Sequence, residues 1–248
     1  MNMPLRKEPI INAPAVIVVV LAMLLAIHGA RQFIDQSMDE WVLLHLAFFP
    51  SRLGTALVDL PGGQGLAISS LVSYSFLHGD WMHLFINSAW FLAFGSLIAR
   101  RTSVLGFLAL CVVTSVAGGL AYLAANFGQA TPIIGASGVV SGLMGAAFRV
   151  IFSGLDVDAF GAIRGGGHGM RRMPLTVAVR DRRVMLSTLV WVGVNLLFAF
   201  GLSGVFTDGG IAWEAHLGGF FAGFLLFGLF DQGPGWYGDW QSGERLHS

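Results

Sequence analysis

The chain has 248 residues, 55% of them hydrophobic and only 11% charged, with a mean hydropathy of +0.71. A soluble domain is about a quarter charged, so this composition excludes an ordinary water-soluble domain and points to an all-α, polytopic membrane bundle. A net charge of zero gives no ground for a nucleic-acid partner, and a single cysteine, Cys111, excludes an intrachain disulfide.

Residues 1–13 are polar, carry Arg6 and Lys7, and precede the first apolar run at 15–30. That run has the form of a signal peptide, with small residues from Ala26 to Ala30. A retained first span is the preferred reading, because everything downstream is equally apolar. His28, near its end, reads as a packing or interfacial histidine. Residues 31–70 form a long connection. Within it the stretch from Trp41 to Pro50 is too short to cross a bilayer and reads as a segment lying in the interface. The turn Pro61-Gly62-Gly63-Gln64-Gly65 follows.

The second span is expected over 79–99, stopped by Arg100 and Arg101, and the third over 103–125. Polar residues 126–131 lead to the fourth, 136–151. Residues 152–183 are rich in Gly and Arg and read as an aqueous loop; Gly165-Gly166-Gly167 lacks the strand-to-helix context of a phosphate site. The fifth span is expected over 184–201 and the sixth over 212–230. The membrane domain is thus 14–231, followed by a polar tail, 232–248, with interfacial Trp236 and Trp240. No repeat suggests a two-fold transporter. With six spans, 12 of the 14 Lys and Arg fall on the side of the N-terminus, and only Arg31 and Arg52 lie opposite. The positive-inside rule then makes the N-terminus cytoplasmic, so spans two, four and six begin at the outer face.

Those three heads carry the polar groups. Span four opens on Gly135-Ala136-Ser137-Gly138, a serine between glycines whose helix N-terminus would offer free N–H groups. Taken alone, that stretch is as well explained by a serine in a small-residue helix interface. Span two opens on His78, His83 and Asn87. The last two are four apart and share a face, whereas His78 and His83 are about 140° apart on an ideal helix, which argues against a zinc pair. Span six opens on His216, in one stripe with Gly219 and Gly223, while Phe224 is read as facing lipid. Packing that stripe on the glycines of span four would bring His216 near Ser137. A lone histidine in a span is often structural, but polar groups at matching depth on three spans carry a functional presumption.

Together these motifs resemble the rhomboid family of intramembrane serine proteases. The resemblance implies Ser137 as nucleophile and His216 as base. It also implies His83, Asn87 and the backbone N–H groups around Ala136–Ser137 as oxyanion donors, with His78, Gly135, Gly138, Gly219 and Gly223 as structural support. It implies no cofactor and no metal, with transmembrane protein substrates and membrane lipids as partners. The expected location is a bacterial inner membrane, with the site opening to the outer face through Gln129 and Asp208. Ser141 stands where some family members carry an aromatic residue stacked on the histidine, so what orients His216 is open. Glu214 is read as interfacial, leaving a Ser-His dyad. The alternatives are an inactive member acting as a binding or quality-control module, and a transporter, which would place its polar groups at the midplane.

Overall fold

The computed structural model describes residues 13–53, 63–153, 156–157, 163–164, 171–199 and 211–233. Arg6, Lys7, Pro61, Gly62, Gly165 to Gly167, Asp208 and the tail with Trp236 and Trp240 lie outside the described residues. The described residues are helical, apart from one antiparallel pair of two-residue strands among them, β1 (Asp156–Val157) and β2 (Ile163–Arg164).

The first helix, α1 (Ala15–Arg31), is followed by α2 (Gln36–Leu46) and α3 (Gly63–Ser73). The connection expected over 31–70 therefore contains two helices. Asp35 starts α2 by accepting the Met38 N–H at 2.9 Å, and Arg31 closes the corner through a bidentate pair with Asp39. A short 3₁₀ turn, Pro50–Leu53, buries Arg52 against the carbonyls of Leu44 and Ala47. Beside it, Phe48 exchanges two backbone bonds with Ile133, and the Ser51 N–H donates to Gln129 O. The segment is thereby fastened to the loop that leads into Ser137.

Next come α4 (Trp81–Trp90), a π-helical stretch (Phe91–Gly95), α5 (Ser96–Ala99) and α6 (Val104–Ala125). Side chains start α4 and α6, Asp80 on the His83 N–H and Ser103 on the Gly106 N–H. Then come α7 (Ser137–Ile151), a single turn α8 (Leu175–Ala178), α9 (Arg182–Leu197) and α10 (Trp213–Leu226). Among the described residues two helices are long and apolar enough to cross a membrane, Trp81–Ala99 and Val104–Ala125. Other apolar helices are shorter, including Ala15–Arg31, Ser137–Ile151 and Trp213–Leu229.

The core is built where α10 packs on α7 and α6. In lipid there is little hydrophobic drive between helices, so close van der Waals packing of small residues takes over. Gly219 rests on the Gly138 carbonyl and Gly223 on the Gly142 carbonyl, each so close that a Cβ would overlap the oxygen. These two steps show that α7 and α10 run parallel. On α6, Gly118 lies by Ala215 and Thr114 lies under Gly142, so α6 runs antiparallel to both. At the other end of α7 the buried Arg149 donates to the carbonyls of Met173 (3.1 Å) and Phe224 (2.8 Å). Arg101 and Arg172 meet there on Asp231, at 3.0 and 3.1 Å. Phe224 is buried, not lipid-facing, because its ring stacks on Phe220 within an aromatic cluster with Phe148 and Trp191.

Candidate active site

Ser137 is the first residue of α7 and half-buried. The chain turns into the helix at Gly135, whose φ of +116° is a conformation that favours glycine. Its N–H is fixed on Tyr74 O at 3.0 Å. Unlike α4 and α6, α7 has no side-chain cap; its N-cap is Ala136. The first backbone bond into the helix is Val140 N–H to Ala136 O, at 2.9 Å. The N–H groups of Ser137, Gly138 and Val139 therefore precede the intrahelical ladder, the general condition for holding an anion at a helix head. The Ala136 N–H points at His78 Nε2, 3.5 Å away.

The second wall comes from α4. His83 lies against Gly135, its Nε2 2.6 Å from where a Cβ would stand, and Asn87 Nδ2 is 3.7 Å from the same point. Only a glycine leaves room for the ring. His83 Nδ1 faces the Gly79 N–H at 3.5 Å, and Asn87 donates one amide hydrogen to His83 O at 3.1 Å. His78 is fully buried behind them, edge-on to His83 with centroids 5.0 Å apart, and its carbonyl accepts from Arg31 at 2.8 Å.

The third wall is α10. His216 follows Ala215, whose carbonyl lies 3.5 Å from where a Cβ on Gly138 would stand, and it precedes Gly219 by one turn. This backbone contact sets Ser137 and His216 at the same level of two touching helices. No hydrogen bond among the described residues joins the two side chains. In unliganded sites such bonds are commonly long, tightening when substrate binds. Ser141 is buried one turn below Ser137. Glu214 is turned away from the site, accepting from Asn126 Nδ2 at 3.1 Å.

The partner of His216 is one that the motif pattern did not include. Asn195, on α9, brings its Oδ1 to 2.8 Å from His216 Nδ1 and is itself buried. The signal was present as a carboxamide in the stretch expected to form the fifth span, where polar side chains would be costly.

A serine, histidines and asparagines thus lie toward one end of a largely apolar helical bundle. The family model described as "Rhomboid domain" matches residues 66–231, more than half of the chain, and the chain belongs to the rhomboid family. Members of that family are mostly intramembrane serine proteases. The match takes in α3 to α10 and leaves α1 and α2 outside. No curated protein matches the chain.

Proposed function

We propose that this chain is an intramembrane serine protease that hydrolyses a peptide bond in or beside transmembrane segments of other membrane proteins. The observation that carries the reading is the glycine-mediated backbone contact of α7 with α10, in which the neighbours of Ser137 and His216, Gly138 and Ala215, lie at one level of two parallel helices. His216 takes the Ser137 proton, Ser137 attacks the peptide carbonyl, and water hydrolyses the acyl-enzyme.

The oxyanion would form beside Gly135. His83 supports this role: if its Nδ1 accepts from Gly79 N–H, its Nε2 carries the hydrogen, on the side of the ring that meets Gly135. Asn87 keeps a second amide hydrogen for the same region. Because the Ala136 N–H faces His78, the Ser137 N–H is the better backbone donor.

The short helices suit a site below the membrane surface. A helix of 15 residues spans about 22 Å against a hydrocarbon core of about 30 Å. With its Arg149 end at the cytoplasmic surface, α7 would start several ångströms inside the outer face. In this reading six segments cross the bilayer: α1, α4 to α5, α6, α7, α9 and α10. The N-terminus is then cytoplasmic, and water reaches Ser137 from outside. The substrate must present an extended peptide bond, so transmembrane helices with glycine or other helix-weakening residues near their outer ends are the expected class.

Cleavage of such a substrate by purified protein in liposomes tests the reading. The wild type should cleave, and Ser137→Ala and His216→Ala should each abolish cleavage while still inserting and purifying normally. Cleavage by Ser137→Ala protein would overturn the assignment, and a folded but inert wild type would point to a binding module instead.

A further inference from the structure

We infer that Asn195 is the positioning residue for the base, holding His216 in the tautomer and orientation that can accept a proton from Ser137. The inference rests on the protease reading above and adds a third member to its dyad. It begins with the amide of Asn195, whose two ends differ chemically. Its Nδ2 lies 2.9 Å from the Trp191 carbonyl, a group that only accepts, so the NH₂ end belongs there. The carbonyl end, Oδ1, then faces His216 Nδ1 at 2.8 Å. The reversed amide would set two carbonyl oxygens against each other at 2.9 Å. An oxygen acceptor at that distance requires the hydrogen of a neutral imidazole to be on Nδ1, which leaves the lone pair on Nε2.

A serine hydroxyl can pass its proton only to a ring nitrogen with a lone pair. The bond from Asn195 therefore does for His216 what the buried carboxylate does in Ser-His-Asp enzymes, and asparagine fills the same place in Cys-His-Asn proteases. A neutral acceptor suits this site, since a carboxylate on a membrane helix would carry a desolvation cost. Among the described residues no other side chain hydrogen-bonds the His216 ring, and Glu214 is bonded to Asn126.

The carrier of the amide is itself held in register. One turn before Asn195, Trp191 stacks on Phe220 with centroids 4.3 Å apart and planes at 17°. Phe220 is one turn beyond His216. Two contacts one helical turn apart, one polar and one aromatic, thus join the same faces of α9 and α10.

The test is a pair of substitutions that a packing role and a positioning role would rank in opposite order. Asn195→Leu keeps the branched heavy-atom shape, with bulkier ends, and removes the acceptor; Asn195→Asp keeps the acceptor and adds a charge. If Asn195 only fills space, leucine should be well tolerated and aspartate should be the worse variant. If it positions His216, Asn195→Leu should lower kcat by about 10²-fold, the lower part of the range for general acid–base catalysis, with KM changed by less than about twofold, since binding is untouched. Asn195→Asp keeps the acceptor for His216 but sets its second oxygen against the Trp191 carbonyl, so its activity should fall between those of Asn195→Leu and the wild type. Asn195→Ala repeats the measurement if the leucine variant does not insert.

The readouts are cleavage kinetics in liposomes and the rate of labelling by a fluorophosphonate, with circular dichroism to verify folding. Wild-type kcat retained in Asn195→Leu, or equal losses in the leucine and aspartate variants, would overturn the inference. A wild type that neither cleaves nor labels would instead overturn the protease reading on which it rests.

Discussion

The two sides of α10 are built by different means. Toward α7 and α6 its glycines lie on neighbouring backbones: Gly219 on the Gly138 carbonyl, Gly223 on the Gly142 carbonyl, and Gly218 with the Ala117 carbonyl 2.5 Å from the place of a Cβ. Toward α9 the contact is made by side chains, chiefly the Trp191–Phe220 stack and the Asn195–His216 hydrogen bond. The opposite face of α9, with Leu186, Leu189, Val190 and Leu197, is exposed from the protein. Backbone contact leaves no rotamers to adjust and fixes helix separation. Side-chain contact tolerates displacement and sets the direction of one ring. The first kind of interface determines how far Ser137 is from His216; the second determines which way His216 faces.

This difference orders the expected effects of substitution. Gly219→Val puts a branched side chain into the Gly138 carbonyl and should be the most damaging change, separating α10 from α7. Overpacking of this kind typically costs about 1–3 kcal/mol, occasionally more, and here backbone, not a movable side chain, is the obstacle. Loss of activity together with a lowered unfolding midpoint in detergent is the expected result. Valine at Leu225, which is half exposed, is the matched control and should be mild.

Gly135→Ala comes next. It strains a backbone at φ +116° and pushes into the His83 ring. Displacing an oxyanion donor costs about 10²–10³ in kcat. That loss should appear with little change in apparent affinity, because such donors act on the developing charge.

On the side-chain interface, Trp191→Ala removes the stack on Phe220. Aromatic pairs are worth about 0.5–1.5 kcal/mol beyond their buried area, so a modest destabilisation should accompany partial loss of activity. The smallest expected effect is at the start of α9. There Asp181 accepts from the N–H groups of Arg183 (2.9 Å) and Val184 (3.4 Å), and Asp181→Ala should cost about 1 kcal/mol of stability. Thermal unfolding in detergent would rank the two variants. If Asp181→Ala proved worse than Gly219→Val, the contrast between the two interfaces would be lost.

How much of this could be read beforehand follows from the same physics. Ser137, His83, Asn87 and His216 stood out because polar groups are rare and costly in apolar runs, and the glycine spacing of α7 and α10 gave the pairing of those helices. The rotation of each helix was harder. An α10 that is apolar nearly all round has no polar face to mark its orientation, so Phe224 was read as facing lipid when it stacks inside. Asn195 was visible as a residue but not as a partner, since its contact depends on how α9 is turned toward a helix 21 residues further on. Helix α3 was missed because its glycines and serines, with β-branched Ile68 and Val72, carry weak helix signals, and the segment gains its order from packing on α6. The backbone donors could be read only as a group around Ala136–Ser137, since the local turn decides where each N–H points and directs that of Ala136 to His78.

The central claim is that the contact of α7 with α10 makes Ser137 a nucleophile activated by His216. Its most direct test is covalent labelling by a serine-directed fluorophosphonate, with the modified residue identified by mass spectrometry of the intact and digested protein. The account expects a single adduct on Ser137 in the wild type and none within the same time in His216→Ala. An adduct on another serine, or labelling of Ser137 at an unchanged rate without His216, would contradict it.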